Sequence, residues 1–428
     1  MYSKQDNYSS TIARKLQVTV QMPWYLNQVQ PGSSVRLVLN EQGLPVYQGL
    51  VPVNFTLLVP RSLVENRTTG GVLQYGHGLF GSREEVDEGY LDAEANEHGW
   101  ILVASDWLGL SEYDEVAVAL MLSSDISNFA MIPDRCTQGM LNALIVMRLM
   151  KDQFYNDPSV IFNGATVVNP DVRFYNGNSQ GGILGTVYMA VTQDVERGTI
   201  GVGGTPYSLL LPRSQDFVLL GDVLSYRYPS PLDRMGLLAA MQLLWDRLEP
   251  SAYLHAISRD PLPNTPQHRI LIQYGLGDAQ VTWMGGQQIG RGVGAVMFQG
   301  NVAEGNITIG GFPFVPVDAV VTEGNVISGW DFGEPLVPFV NLPPNKVRCG
   351  RVGFGCLRVS VAGRPTTLTF WTCAPPHHRS TTPMSSLAAL PPRSSKCTSS
   401  STVAVLLTPA VVPATQSHPT GSSEVRYK

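Results

Sequence analysis

Apolar and polar residues alternate along Leu16-Gln17-Val18-Thr19-Val20 and again along Val35-Arg36-Leu37-Val38-Leu39, with Gly and Pro between the two runs. A period of two puts every second side chain on one face, so both runs predict antiparallel strands at the entry edge of a sheet. Downstream the pattern becomes short β-branched or apolar runs, each ending in or near Gly, Ser or Asp: Gly71 to Tyr75, Trp100 to Ser105, Val172 to Asn176, Thr199 to Gly203 and Arg269 to Tyr274. Strands covered on both faces lose the alternation, so these runs predict a parallel sheet. Between the second and third, Asp134 to Met150 carries apolar residues at helical spacing, with Pro133 and Asp134 at its start. Strand, helix and strand in that order form a βαβ unit. The chain is therefore expected in the α/β class, with a mostly parallel sheet and helices on both faces. The stretch from 206 to 266 interrupts the pattern with Leu209-Leu210-Leu211, a helical repeat from Met235 to Leu248 and proline-rich joints, which predicts a helical cap inserted above the sheet. From Pro375 onward Ser, Thr, Pro and Ala dominate without periodicity. The expected organisation is a flexible terminus over 1–15, a folded domain over 16–346 and a largely disordered tail over 347–428.

Composition narrows the function classes. With 43% apolar and 15% charged residues the chain can bury a sizeable core. Its 29 basic and 34 acidic residues are scattered without long runs, which leaves no electrostatic footprint for nucleic acid or an anionic membrane surface. No run of about 18 apolar residues predicts a membrane span. The first ten residues lack the apolar core of a signal peptide, so the expectation is a soluble cytoplasmic protein, or a secreted one if a leader precedes this sequence. N-x-S/T triplets at Asn7, Asn54, Asn66 and Asn306 favour the second address. The five cysteines contain no CxxC pair, so no metal site is expected, and Cys136 is read as a buried core thiol.

Three segments carry chemistry. Gly177-Asn178-Ser179-Gln180-Gly181 has a strand-like run, Val172 to Asn176, before it and a small-faced helical start, Gly181 to Tyr188, after it. A serine between such elements sits on a strained strand-to-helix turn whose neighbours must lack bulk. There the Ser179 hydroxyl stands above the sheet, and the backbone N–H of Gln180 can face developing negative charge. The second segment, Gln74-Tyr75-Gly76-His77-Gly78-Leu79-Phe80-Gly81-Ser82, again follows an apolar strand. The third runs from Arg269 to Val281, an apolar strand ending in Asp278; an acid there can fix and stabilise an imidazole. Asp318 and Asp331 are further candidates for that role.

Taken in the order His-Gly loop, Ser, Asp, the stretch from about 60 to 345 resembles the α/β-hydrolase superfamily, near its lipase and esterase members. The resemblance implies that Ser179 is the nucleophile, that the Leu79 and Gln180 N–H groups form the oxyanion hole, that His77 holds its loop, and that Asp278 is the acid of a Ser-His-Asp triad. It also implies a carboxylic ester as substrate, small or lipid-like, and no cofactor. The superfamily's chain order puts the histidine after Asp278, in a loop after the last strand. That strand is expected at Val326 to Trp330 or Leu336 to Val340, yet of the seven histidines only His377, His378 and His418 follow Asp278. Two readings stay open: His377 or His378 returns to the site on an unusual loop, or the sequence after about 346 departs from the superfamily's C-terminus and the base is missing. The first gives a serine hydrolase of esters, with peptidase or thioesterase activity as variants. The second gives a hydrolase-like protein that binds a partner or apolar ligand without turnover. Gly290-Arg291-Gly292-Val293-Gly294 lacks a full GxGxxG and a preceding strand, and is read as a flexible turn. Trp107 and Tyr113 are read as core aromatics or as lining of a substrate pocket.

Overall fold

A computed structural model describes residues 2–298, 311–316 and 320–330 in full, and 299, 352–361 and 364–373 by their backbone. Strands run over β1 Tyr2–Asp6, β2 Ile12–Pro23, β3 Leu50–Pro60, β4 Gly70–Gly76, β5 Ile101–Ser105, β6 Ile161–Phe162, β7 Ala165–Thr166, β8 Val168–Asn178, β9 Arg197–Gly201, β10 Arg269–Gly275, β11 Val296–Gln299, β12 Phe314–Pro316, β13 Val326–Trp330, β14 Val352–Val361 and β15 Arg364–Cys373. The α-helices are α1 Arg61–Asn66, α2 Gly89–His98, α3 Glu115–Ser124, α4 Met131–Asp152, α5 Gln180–Val191, α6 Tyr207–Leu210, α7 Val218–Arg227, α8 Pro231–Trp245, α9 Leu254–Ser258 and α10 Trp283–Gly292. One sheet of 11 strands has the order β1-β2-β3-β5-β4-β8-β9-β10-β13-β11-β12. From β5 to β12 every pairing is parallel, and β1, β2 and β3 add an antiparallel edge.

The apolar runs are legible in the way their side chains divide. Val72, Ile101 and Val103 enter a core with α4, α5 and α10, whereas Leu73, Tyr75, Leu102 and Ala104 enter a second core with α2 on the opposite face. Helices therefore cover both faces of a mostly parallel sheet, and the expected α/β-hydrolase architecture is the one observed.

Two expectations for the entry edge are corrected. The expected flexible terminus over 1–15 is not what residues 2–15 form: Tyr2–Asp6 pairs antiparallel with β2, Lys15 forms an ion pair with Asp87, and Ile12 is fully buried. Edge pairing supplies the backbone partners that the polar sequence of β1 does not advertise. Val35 to Leu39 is not a sheet strand and makes only isolated bridges, Leu26 to Leu37 and Leu39 to Pro45, while β2 pairs with Leu50–Pro60 instead. Pro31, Gly32 and Pro45 hold that run in loops, and Leu39 is half exposed.

Between β9 and β10 lie α6, α7, α8 and α9, the segment expected as a cap. Cys136 is a free, buried thiol on α4, and burial raises its pKa well above the ordinary value. In the segment from 347, β14 and β15 pair as an antiparallel hairpin. Asn306, Asp318, Asp331, Leu336 to Val340, His377, His378, His418 and the sequence from 374 onward lie outside the described residues. No helix among the described residues is long and apolar enough to cross a membrane.

Candidate active site

β8 ends at Asn178, α5 begins at Gln180, and Ser179 alone makes the turn between them. Its φ of 57° with ψ of −119° is a conformation that glycine adopts freely and L-residues rarely do. The surroundings enforce it. Ser179 N–H donates to Gly201 O at 3.0 Å, its carbonyl accepts from Gly182 and Ile183, and the Tyr175 hydroxyl donates to Gly181 O at 2.6 Å. A methyl group on Gly177 would meet Gly181 O at 2.5 Å, and one on Gly181 would meet Gly76 O at 2.0 Å. Both glycines of the motif are thus required by close backbone approach. Ser179 stays half-buried, with its side chain on the cleft.

The loop after β4 is held beside the elbow. His77 is fully buried; its Nε2 accepts the Trp107 N–H at 2.7 Å, which leaves Nδ1 to donate to Gly78 O at 2.7 Å. Burial lowers its pKa and keeps the ring neutral. Gly81 N–H closes a turn onto Gly78 O, Phe80 N–H donates to Leu110 O, and Phe80 has a φ of 52°. No acceptor is found for the Leu79 N–H among the described residues, and Leu79, Gln180 and Ser179 line one cleft.

Asp278 follows β10, and β9 lies between β10 and β8 in the sheet. Because all three strands are parallel, Asp278 and Ser179 leave the same, carboxyl-terminal edge. Two strand spacings, about 10 Å, separate their strands, room for an imidazole between the two side chains. The Gln280 and Val281 N–H groups donate to Asp278 Oδ1 at 2.8 and 3.0 Å. Burial, with the nearby Asp216 carboxylate, outweighs those donors and pushes the Asp278 carboxyl up to about 6.

Each described histidine sits elsewhere. His77 holds its loop, His268 is buried against Thr192 O, the His98 ring packs 5.4 Å from that of Trp100, and His255 is an exposed residue of α9. None of the four lines the cleft.

The cleft has two parts that meet at Ser179. One, about 760 Å³ with its mouth included, runs under the cap and is lined by apolar side chains such as Phe129, Ile183, Leu210, Leu220, Met241 and Trp245. The other is more polar and carries Glu85, Glu88, Glu115 and Asp216. The cap is tied to both halves of the site. Gln180 and the Tyr207 hydroxyl are hydrogen-bonded, and the Tyr207 ring stacks 4.3 Å from that of Trp245. Gln215 N–H donates to Ala279 O at 2.8 Å, and Gln280 Nε2 donates to Asp216 Oδ1 at 2.9 Å.

One sequence reading changes here and one is resolved. Gly290 to Gly292 is the last turn of α10 rather than a flexible turn, because a methyl on Gly290 would press within 2.7 Å of Ile327 where the helix crosses the sheet. Trp107 is core, and Tyr113 is exposed and outside the Ser179 cleft. Glu85 and Asp216, whose carboxyls burial pushes upward, were not singled out by sequence. The i+3 spacing of Glu85 from Ser82 marks only a helix start, and Asp216 reaches the site through the cap. No group of His, Cys, Asp and Glu among the described residues is placed to hold a metal ion.

No family model and no curated protein sequence matches the chain. Among solved structures it is similar to an acetyl xylan esterase from Paenibacillus sp. R4, at 11% identity over 79% of this chain and 84% of that one, with a TM-score of 0.44. It is also similar to an S-formylglutathione hydrolase from Agrobacterium tumefaciens, at 12% identity over 77% and 90%, with a TM-score of 0.38. An acylaminoacyl peptidase from Pyrococcus horikoshii matches at 11% identity over 66% of this chain with a TM-score of 0.38, and the chain spans only 36% of that protein's length. The sheet order and the strand-elbow-helix turn at Ser179, rather than these distant likenesses, carry the conclusion that this chain has an α/β-hydrolase fold.

Proposed function

We propose that the chain is a serine hydrolase that transfers an acyl group from a carboxylic ester to water. Ser179 Oγ attacks the carbonyl carbon and gives its proton to a histidine. The Leu79 and Gln180 N–H groups hold the oxyanion. Collapse of the tetrahedral intermediate releases the alcohol, protonated by the same histidine, and water then frees the acid by the reverse sequence. Asp278 orients that histidine, which on chain order is His377 or His378. The observation that carries the reading is the backbone of Ser179: a non-glycine residue is held at a glycine conformation, beside two N–H groups that have no acceptor among the described residues, at the meeting point of an apolar and a polar cleft. Strain of this kind persists where surrounding structure over-determines it, and it clusters at functional sites. The apolar chamber supports an acyl chain larger than acetyl as the group bound under the cap.

One observation favours a second reading. None of the described histidines lines the cleft, and a serine without a base is a poor nucleophile at neutral pH. On that reading the chamber binds an apolar ligand without turnover. Fluorophosphonate labelling of the full chain separates the two, with Ser179→Ala and the His377→Ala/His378→Ala double variant as controls. Labelling lost in both variants supports the hydrolase and its base. A folded wild type that takes no label refutes catalysis and leaves the binding reading. Comparison of esters, amides and thioesters at one acyl length then tests whether an ester is preferred.

A further inference from the structure

Glu85 is the residue of this cleft that the hydrolase mechanism leaves unused. It lies in the 3-10 turn Arg83–Asp87, directly after the loop that presents the Leu79 N–H. Its Oε2 accepts the Gly78 N–H at 2.9 Å, and the loop wraps around the carboxylate so closely that a methyl group on Gly81 would fall 1.8 Å from Oε1. The loop thus depends on glycine at 81 for Glu85 as much as for the chain path. The turn also contains Phe80 at a φ of 52°, which local preferences alone do not hold. Its restraints come from two sides: His77 grips Gly78 O from the core, and Glu85 grips Gly78 N–H from the cleft.

Resting on the hydrolase reading, we propose that Glu85 is a positioning residue for the oxyanion hole: its ionised carboxylate holds the Gly78 amide and so aims the next N–H, that of Leu79, at the carbonyl oxygen of the substrate. A hydrogen bond to an ionised acceptor is stronger and shorter than one to a neutral carboxyl, so the grip depends on the charge of Glu85. That charge is not assured near neutrality. Burial pushes the Glu85 carboxyl up to about 7, the Gly78 donor opposes the shift, and the Glu88 carboxylate adds to it. The other titratable groups around it are the buried Tyr75 hydroxyl beneath and Glu115 and Asp216 across the cleft, while Arg83 is engaged by Asp106. Among the described residues no cation lines this part of the cleft to hold the charge. Protonation of Glu85 therefore loosens the oxyanion loop, and turnover gains an acid limb distinct from that of the histidine.

The test uses the full chain with 15N-labelled glycine, the Gly78 amide being assigned by comparison with Gly78→Ala. In the wild type the Gly78 amide shift follows pH with a midpoint near 7, and Glu85→Gln abolishes that titration. With a p-nitrophenyl ester, Glu85→Gln lowers kcat about 10-fold, leaves KM within about 2-fold and removes the acid limb near pH 7; Gly81→Ala, which displaces the carboxylate, lowers kcat similarly. A purely structural role would change the melting temperature without splitting kcat from KM or altering the pH profile. A Gly78 amide that ignores pH, or that titrates alike in wild type and Glu85→Gln, overturns the proposal, as does an unchanged kcat in Glu85→Gln. A wild type that hydrolyses nothing, yet loses the Gly78 titration on Glu85→Gln, upholds the clamp and shows that the hydrolase reading itself has failed.

Discussion

Ser179→Gly should make this protein inert toward a fluorophosphonate and more stable at the same time. The perturbation removes the proposed nucleophile and relieves its backbone, which sits at φ 57° and ψ −119°. A non-glycine residue in such a region costs on the order of 1–3 kcal/mol. Against that gain stands the extra freedom glycine confers on the unfolded chain, about 0.5–1 kcal/mol. The Ser179 side chain is half-buried at a cleft and accepts or donates no hydrogen bond to a described residue, so its loss removes little packing. The balance is a net stabilisation of about 1 kcal/mol, or roughly 1–2 °C in Tm for a domain of this size. Ser179→Ala is the internal control, because alanine stays at the strained φ and changes stability by less than about 0.5 kcal/mol. The assay is urea unfolding of the three proteins, with equal slopes required, beside calorimetry and labelling. A glycine variant less stable than the alanine variant by about 0.5 kcal/mol or more is the result expected of an unstrained interior position. It would refute the claim that this turn stores strain, and with it the strongest support for Ser179 as nucleophile.

Other consequences can be measured separately. Gly181→Ala places a methyl 2.0 Å from the backbone oxygen of Gly76, where no side chain can yield, so it should cost about 1–3 kcal/mol and abolish labelling; a stable, labelled variant would mean that the elbow does not pack as described. Asp278 has its pKa raised to about 6, so between about pH 4 and 6 the folded state keeps a proton that the unfolded chain has released. Its contribution to stability therefore falls as pH rises through that window and is constant above it. Asp278→Asn should flatten this slope and raise stability at pH 8 by on the order of 2 kcal/mol, while losing about 10³- to 10⁴-fold in kcat; urea titrations at pH 5 and 8 and ester kinetics test both halves. Leu220→Trp, on the cap helix α7, should fill part of the apolar chamber. Hydrolysis of octanoyl esters should fall about 10-fold or more relative to acetyl esters, and an unchanged ratio would place the acyl chain elsewhere.

How much of this was legible in the sequence follows from what each element needs. The parallel strands were readable because burial on both faces favours short, mostly apolar runs without strict alternation, as at Ile101 to Ala104 and Ile270 to Ile272. β1 was not, because Tyr2-Ser3-Lys4-Gln5-Asp6 is exposed throughout and holds by pairing to β2 and by the ion pair of Asp6 with Arg14 across that pairing. Val35 to Leu39 misled for the opposite reason: it alternates like a strand, but no neighbouring strand offers it a ladder. The elbow was legible because its constraint is local. Gly177 and Gly181 must be glycine to let two backbones touch, and that requirement is written in the motif. Glu85 was illegible because its significance depends on the path of the loop: only when Gly78 and Gly81 fold around it does an ordinary surface-like glutamate become a ligand for an amide.

The same logic bears on the proton acceptor. An imidazole serving Ser179 must have one ring nitrogen open to the serine and the other open to an acid. His77 is nearest in sequence to the site, yet one nitrogen is spent accepting from Trp107 and the other donating to its own loop, so its neutral ring is fixed as a strut. His268 is buried with Nε2 against Thr192 O, just before the amino end of β10, whereas Ser179 follows the carboxyl end of β8. Meanwhile Asp278 Oδ1 is occupied by two backbone donors from its own turn. Its other oxygen is left to accept an N–H, as an orienting acid requires. The proposed nucleophile and acid are thus arranged for a third residue, and none of the four described histidines lines their cleft. That complementarity, rather than either residue alone, is what sends the search for the base to His377 and His378.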